Sequence, residues 1–151
     1  MLDSLNATLP PHQQPVPGSG RATTPRLDCG EDSYRGANRL HDKKVLLTGG
    51  DSGIGRAVAL AFAREGADLL VSHLSKEPEA RKTKRLVDQA GRRCLLTPGD
   101  PANAAHCRRL VKKAVDAFGR IDVLVNNATQ PTTLNAAEEI LSRSVSRRCP
   151  I

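Results

Sequence analysis

The residues best suited to chemistry lie in one glycine-rich segment, T-G-G-D-S-G-I-G, at positions 48–55. A glycine directly after a strand permits a sharp turn, a second lets the backbone approach a pyrophosphate, and a third lets the next helix pack closely. The helix N-terminus then presents unpaired N–H groups to the phosphates. A plain glycine-rich turn is the alternative. We predict a phosphate-binding loop that uses Gly49, Asp51, Ser52, Gly53, Ile54 and Gly55.

A loop of this kind needs a strand before it and a helix behind it, and the apolar pattern supplies both. Residues 45–47 form a short apolar run, which predicts a strand. Ile54, Val58 and Phe62 follow at helical spacing, and Gly66 ends the helix. The glycine-rich segment therefore stands at a strand-to-helix junction.

The rest of the central region alternates strands and helices in the same way. Near-continuous apolar runs predict further strands at 68–72, 94–97 and 121–125. Helices are predicted at 76–90 and 102–118. The second of these has Cys107, Leu110, Val111, Ala114, Val115 and Phe118 on one face. This order predicts an α/β fold, a partial doubly wound parallel sheet with helices on both faces.

Polar residues follow the third and fourth predicted strands. Asp100 can cap a helix that starts at Pro101. The amide of Asn126 can tie the fourth strand to its neighbour. Ala128 completes this segment, so both strand ends contribute to the predicted site.

These motifs resemble those of the short-chain dehydrogenase/reductase family. T-G-x-x-x-G-x-G is its cofactor fingerprint, Gly99-Asp100 resembles its adenine-contacting aspartate, and Asn126-Asn127-Ala128 resembles its N-N-A-G motif, with Thr129 in the last place. G-E-D-S-Y-R-G at 30–36 resembles the preamble of bacterial oxidoreductases related to glucose/ribitol dehydrogenases. The resemblance covers about residues 29–130. It implies the N-terminal part of a Rossmann-type NAD(P)-binding fold, with a small alcohol, sugar or carbonyl compound as substrate in full-length relatives.

The choice of cofactor depends on the end of the second strand, where an acidic residue would bind the ribose hydroxyls of NAD. His73 stands there, and the next carboxylate along the chain is that of Glu77. Lys76 or Arg56 could supply a cation for a 2′-phosphate. NADP is therefore the preferred cofactor and NAD the alternative. His73 could equally be a surface residue without a ligand role.

The family's catalytic residues cannot be identified in this sequence. The resemblance implies a Tyr and a Lys in Y-x-x-x-K, and a substrate-polarising Ser beyond a fifth strand. The only tyrosine is Tyr34, and the residue four places on is Asn38. Ser142, Ser144 and Ser146 lie too close to the fourth strand to be that serine. No catalytic residue is assigned, and a truncated or frameshifted copy is the simplest account.

Composition divides the chain into three parts. Residues 1–38 are proline-rich with few large apolar side chains, which predicts a disordered or extended arm. Residues 39–133 form the incomplete dinucleotide-binding domain. Residues 134–151 form a divergent tail, where the resemblance fades; a functional basic tail is the alternative.

Charge and cysteine content set limits on partners and location. The net charge of +7 also suits a non-catalytic basic module that binds nucleotide or nucleic acid. With one Tyr, two Phe and no Trp, stacking platforms for nucleic acid are scarce. Four scattered cysteines predict free thiols and no metal site. The sequence shows no signal peptide and no membrane span, so we expect a cytoplasmic protein. We also expect self-association, because the fourth strand would be an exposed apolar edge of the sheet.

Overall fold

Strands and helices alternate along residues 28–129, the part of the chain that the computed structural model describes. The arm at residues 1–27 and the tail at 134–151 lie outside the described residues. The elements are β1 (Lys44–Thr48), α1 (Gly53–Arg64), β2 (Asp68–His73), α2 (Glu77–Gln89), β3 (Cys94–Pro98), α3 (Ala104–Phe118) and β4 (Val123–Asn126). Every strand and helix predicted from the apolar pattern is present, with ends that differ by a few residues.

The four strands form one parallel sheet in the order β3-β2-β1-β4. β2 lies on one side of β1 and β4 on the other, with Leu46 opposite both Leu70 and Leu124. The chain therefore winds outward in both directions from β1, which confirms the predicted doubly wound arrangement. In such sheets ligands bind at the carboxyl ends of the strands, where the winding reverses.

Alternating side chains of the strands build two cores, one on each face of the sheet. On one face Val45, Leu47 and Val71 pack with apolar residues of α1 and α2. On the other face Leu46 and Leu70 pack under α3. All five side chains are at most 3 % exposed. This burial fixes the register, because a shift of one residue would turn each apolar set toward the opposite face.

The buried stripe of α3 is narrower than the sequence suggests. Leu110 and Ala114 are buried, whereas Val111 and Val115 are 48 % and 43 % exposed. His106, which the apolar pattern passed over, completes the buried row at the sheet. The reason is geometric: a helix on a flat sheet buries one i, i+4 row, and no second element covers the outside of α3 within residues 28–129.

Residues 28–38 pack against the domain, which corrects the assignment of this stretch to a disordered or extended arm. The guanidinium of Arg64 donates to the backbone carbonyls of Gly30, Glu31 and Tyr34. The carboxylate of the buried Glu65 accepts from the Tyr34 hydroxyl and from the Arg39 backbone N–H. Composition missed this segment because its anchors are two polar side chains at the C-terminal end of α1, Arg64 and the C-cap residue Glu65, rather than apolar burial.

The described residues contain no helix that is long and apolar enough to cross a membrane. They also contain no group of histidine, cysteine and acidic residues that could hold a metal ion. Cys29, Cys94 and Cys107 are free thiols. Burial raises the pKa of the Cys94 thiol to about 12, so this cysteine stays protonated in the core.

Candidate functional site

The glycine loop between β1 and α1 is folded tightly against its surroundings on one side and open on the other. A Cβ atom on Gly55 would lie 2.0 Å from the carbonyl oxygen of Gly49, so α1 can approach the turn only because residue 55 has no side chain. A Cβ on Gly49 would lie 2.8 Å from the Cα of Ala128. At Gly53, by contrast, φ is +52° and a Cβ would meet nothing within 4 Å. The space on the Cβ side of Gly53 is therefore open, while its backbone carbonyl accepts from the Cys29 thiol over 3.8 Å.

The N-terminus of α1 opens into the same region. Ser52 stands at the N-cap position in an extended conformation, and its side chain makes no capping hydrogen bond. Its hydroxyl lies instead 3.4 Å from a carboxylate oxygen of Asp51. The first turn contains no acidic residue, and Ile54 is 76 % exposed. The first N–H groups of the helix, with their partial positive charge, are therefore left to an external anion.

The segment after β4 closes one side of this loop. Asn127 donates its side-chain amide to the carbonyl oxygen of Gly49 over 2.8 Å. The backbone N–H groups of Asn127 and Ala128 both donate to the hydroxyl of Thr48, each over 3.1 Å. Sequence reasoning gave the tie between strands to Asn126, whose side chain is exposed at the strand end. The residue that makes the tie is its neighbour, because alternation along β4 turns Asn127 toward the loop.

The end of β2 carries a buried histidine rather than a surface one. His73 is 2 % exposed, which rules out the alternative of a solvated residue at a strand end. Its Nε2 lies 3.2 Å from a carboxylate oxygen of Glu77, yet neither ring nitrogen has a well-directed hydrogen bond within the described residues. Glu77 also accepts from the side chain of Arg81. An acidic group therefore lies beside the end of the second strand after all.

Arg56 is already engaged inside the domain, which corrects its assignment as a cation for a 2′-phosphate. Its guanidinium donates to the backbone carbonyl of Asp51 over 2.7 Å and forms an ion pair with Glu79 over 3.0 Å. Its Nε donates to the hydroxyl of Thr83. Arg56 thus braces the glycine loop against α2. Lys76, the other predicted cation, stands at the N-cap of α2.

Asp100 occupies an exposed turn after β3, but it does not cap the following helix. Its carboxylate accepts from the N–H of Ala102, while α3 begins at Ala104. The cap is Asn103, whose side chain accepts from the N–H groups of Ala105 and His106. The expectation that Asp100 serves as an N-cap is therefore wrong. The Asp100 carboxylate is turned to the local turn and to solvent.

These groups lie along one edge of the sheet. The glycine loop and the Asn127 segment meet at the ends of β1 and β4, His73 ends β2, and Lys76 follows it. Asp100 follows β3, two strands from the loop, which at about 4.8 Å per strand is about 10 Å. Sequence reasoning gave Asn127 no role of its own, although it stands in the N-N-A motif, and it passed over Asn103 and His106. Asn103 carried a signal, as an Asn shortly before the helical row that begins at Cys107. The edge can hold an extended anionic ligand with phosphates at α1.

Comparisons with known proteins identify the relatives of this chain. The profile of the short chain dehydrogenase family matches residues 43–148. The uncharacterized oxidoreductase YhdF of Bacillus subtilis (strain 168) is 41 % identical over 89 % of this chain. The chloroplastic NADPH-dependent aldehyde reductase 1 of Arabidopsis thaliana is 36 % identical over 85 %. The chain spans 48 % and 46 % of these two relatives, or about half of their length.

Solved structures with a similar fold include short-chain dehydrogenases. A short-chain dehydrogenase/reductase of Serratia marcescens superposes with a TM-score of 0.63 at 33 % identity, over 72 % of this chain and 45 % of that one. Carveol dehydrogenase from Mycobacterium avium in complex with NAD superposes with a TM-score of 0.62 at 25 % identity, over 67 % and 40 %. From the matched profile, the relatives and the parallel sheet together, the chain belongs to the short-chain dehydrogenase/reductase family.

Proposed function

We propose that this chain binds a nicotinamide dinucleotide along the carboxyl edge of its sheet, with the pyrophosphate at the glycine loop. The observation that carries the proposal is the contrast among the glycines. Gly49 and Gly55 are packed against neighbouring backbone, whereas Gly53 opens onto free space in front of an uncapped helix N-terminus. A backbone with this shape can approach phosphate oxygens closely.

The adenosine half of the cofactor would lie toward β3. Its adenine amino group can donate to Asp100, its ribose would lie over His73 and Lys76, and Asn126 and Ala128 would line the side next to β4. The glycine loop would contribute Gly49, Asp51, Ser52 and Ile54 around the phosphates. The separation of about 10 Å between β1 and β3, the strands that precede the loop and Asp100, suits half of a dinucleotide.

The preferred cofactor in this proposal is NADP, and Lys76 is the residue that supports it. A cation at the N-cap of α2 favours a 2′-phosphate on the ribose. Two features work against a large preference, since Glu79 pairs with Arg56 and Glu77 lies beside His73. We therefore expect a modest preference for NADPH over NADH. One relative is described as NADPH-dependent and one similar structure holds NAD.

The ancestral reaction would be the interconversion of an alcohol or sugar and a carbonyl compound, for which the nicotinamide ring supplies the hydride. That reaction needs a positioned proton donor, and the sequence contains no Tyr with a Lys four residues later. Its only tyrosine, Tyr34, donates to Glu65 beyond the C-terminal end of α1. Its pKa is raised, chiefly by that hydrogen bond. We propose cofactor binding without carbonyl-reductase turnover by this chain.

A titration with NADPH tests the proposed function. We expect a saturable rise in nicotinamide fluorescence that NADP⁺ reverses, and no NADPH oxidation when aldehydes or sugars are added. The basic-module alternative, which finds no support among the relatives, predicts instead that affinity follows polyanion length and falls steeply with salt. Binding of long polyanions without saturable NADPH binding would reject the dinucleotide site.

A further inference from the structure

A buried histidine outside the proposed contacts lies beneath the turn that carries Asp100. His106 belongs to the first turns of α3 and is 2 % exposed. Its Nε2 lies within 3.2 Å of the hydroxyl of Ser72 on β2. Its backbone N–H is held by the cap residue Asn103. The imidazole therefore links β2 to the start of α3, below the loop between β3 and that helix.

The loop itself is shaped around this ring. Gly99 has φ +149°, and a Cβ there would lie 2.2 Å from the Cε1 of His106. The N–H of Gly99 donates to the carbonyl of His73 over 2.9 Å, which continues the pairing between β2 and β3. Asp100 follows directly. The imidazole and the backbone of Gly99 are thus in close contact, and displacement of one would displace the other.

The surroundings of His106 favour its neutral form. Burial lowers the pKa of the imidazole, and the nearby guanidinium of Arg109 lowers it further, while the carboxylate of Asp100 acts in the opposite direction. The group facing it from β2, Ser72, carries no charge. A proton added below the usual range of histidine would place a charge in a buried site that holds a single hydroxyl partner.

We propose that His106 is a positioning residue that holds the Gly99–Asp100 turn where Asp100 can receive the adenine ring, and that protonation of its imidazole loosens this turn. The hydrogen bond between Asp100 and the adenine amino group should then add to affinity at neutral pH and add little in acid. The phosphate end of the ligand should depend less on His106, because the imidazole reaches the glycine loop indirectly, through Ser72, whose backbone carbonyl accepts from the Gly49 N–H. This role rests on the dinucleotide-binding function proposed above.

The test compares NAD⁺ with its hypoxanthine analogue, which lacks the amino group from which Asp100 would accept a hydrogen bond. Affinities of both are measured by calorimetry at about pH 8 and about pH 5, the lower value being chosen below the usual histidine range because the pKa of His106 is lowered. In the unmodified chain NAD⁺ should bind about two- to tenfold more tightly than the analogue at the higher pH, as one hydrogen bond would give. That ratio should fall toward one at the lower pH.

Two variants identify the titrating group. His106→Gln keeps a hydrogen-bonding side chain that does not ionise, so its ratio should be the same at both pH values. His41→Gln removes an exposed histidine away from this loop and should behave like the unmodified chain. Unfolding curves at both pH values exclude loss of the fold.

Each alternative result has a distinct meaning. A ratio in His106→Gln that still falls in acid would overturn the role of His106. Equal affinity for NAD⁺ and its analogue at both pH values would show that Asp100 does not read adenine, and would also overturn it. Failure of both dinucleotides to bind at either pH would reject the proposed function itself, and this inference with it.

Discussion

Asn127 and Gly49 are joined by a hydrogen bond of 2.8 Å from the side-chain amide to the backbone carbonyl, 78 residues apart in the chain. The bond fixes the first residue of the glycine loop to the segment that follows β4. Thr48 adds to the same junction, because its hydroxyl accepts from two backbone N–H groups of that segment. The shape of the proposed phosphate site therefore depends on β4 as well as on β1 and α1.

Removal of this amide should weaken cofactor binding while the fold persists. We expect Asn127→Ala to bind NADPH about two- to tenfold more weakly, since a hydrogen bond of this kind contributes about 0.5–1.5 kcal/mol. Gln89→Ala is the matched control and should leave affinity unchanged, because it removes an exposed side-chain amide at the C-terminal end of α2, away from the loop. Fluorescence titration measures both. Equal losses in the two variants would contradict the assignment of the tie to Asn127.

The sequence was sufficient for the fold because each strand is an apolar run and each helix has an apolar row. The spacing of apolar residues could not predict which polar side chains pair with each other, because those partners are far apart in the sequence. Arg56 looked available to a phosphate, yet Glu79 and Thr83 of α2 engage it. Glu65 gave no signal at all, although it anchors residues 34–39.

Glu65 should make the packing of the preamble sensitive to acid. Its pKa is lowered to about 2, first by the hydrogen bond from Tyr34 and then by the Arg39 backbone N–H. A carboxyl whose pKa falls on folding stabilises the folded state above its unfolded value of about 4.3, and that contribution is lost as pH falls toward 2. Glu65→Gln should therefore be less stable than the unmodified chain at neutral pH, and the difference should shrink between about pH 4.3 and pH 2.

Urea unfolding at a series of pH values measures this difference. Asp116→Asn is a suitable control, because Asp116 is an exposed carboxylate that pairs with Lys112 along its own helix. Its difference from the unmodified chain should be small at every pH. A Glu65→Gln curve parallel to that of the unmodified chain would show that Glu65 does not titrate as its contacts imply.

Lys76 should set the preference between the two cofactors. Lys76→Glu reverses the charge at the start of α2, so the expected advantage of NADPH over NADH should shrink or disappear. Lys112→Glu makes the same change of charge on the exposed outer face of α3 and should leave the ratio unchanged. The readout is the ratio of the two dissociation constants. Tighter binding of NADH by the unmodified chain would refute the NADP preference.

Self-association should depend on β4. Within residues 28–129 it is an outer strand of the sheet, and Leu124 on it is 57 % exposed. An apolar outer strand with unpaired backbone groups favours pairing between molecules. Leu124→Lys should lower the mass measured by light scattering at a given concentration, whereas Leu74→Lys, at a site 55 % exposed, should not. A monomeric unmodified chain would contradict the expectation.

The binding of NADPH by glycine variants tests the central claim most directly. Gly53→Val places a branched side chain in front of the helix N-terminus, and Gly53→Asn does so with a residue that tolerates a positive φ. Gly91→Asn is the matched control, since Gly91 also has a positive φ and open space around it but lies after α2. We predict that both Gly53 variants fold and bind NADPH at least about tenfold more weakly, a loss of about 1.4 kcal/mol or more, while Gly91→Asn binds normally. Unchanged affinity in folded Gly53→Asn would contradict the phosphate site.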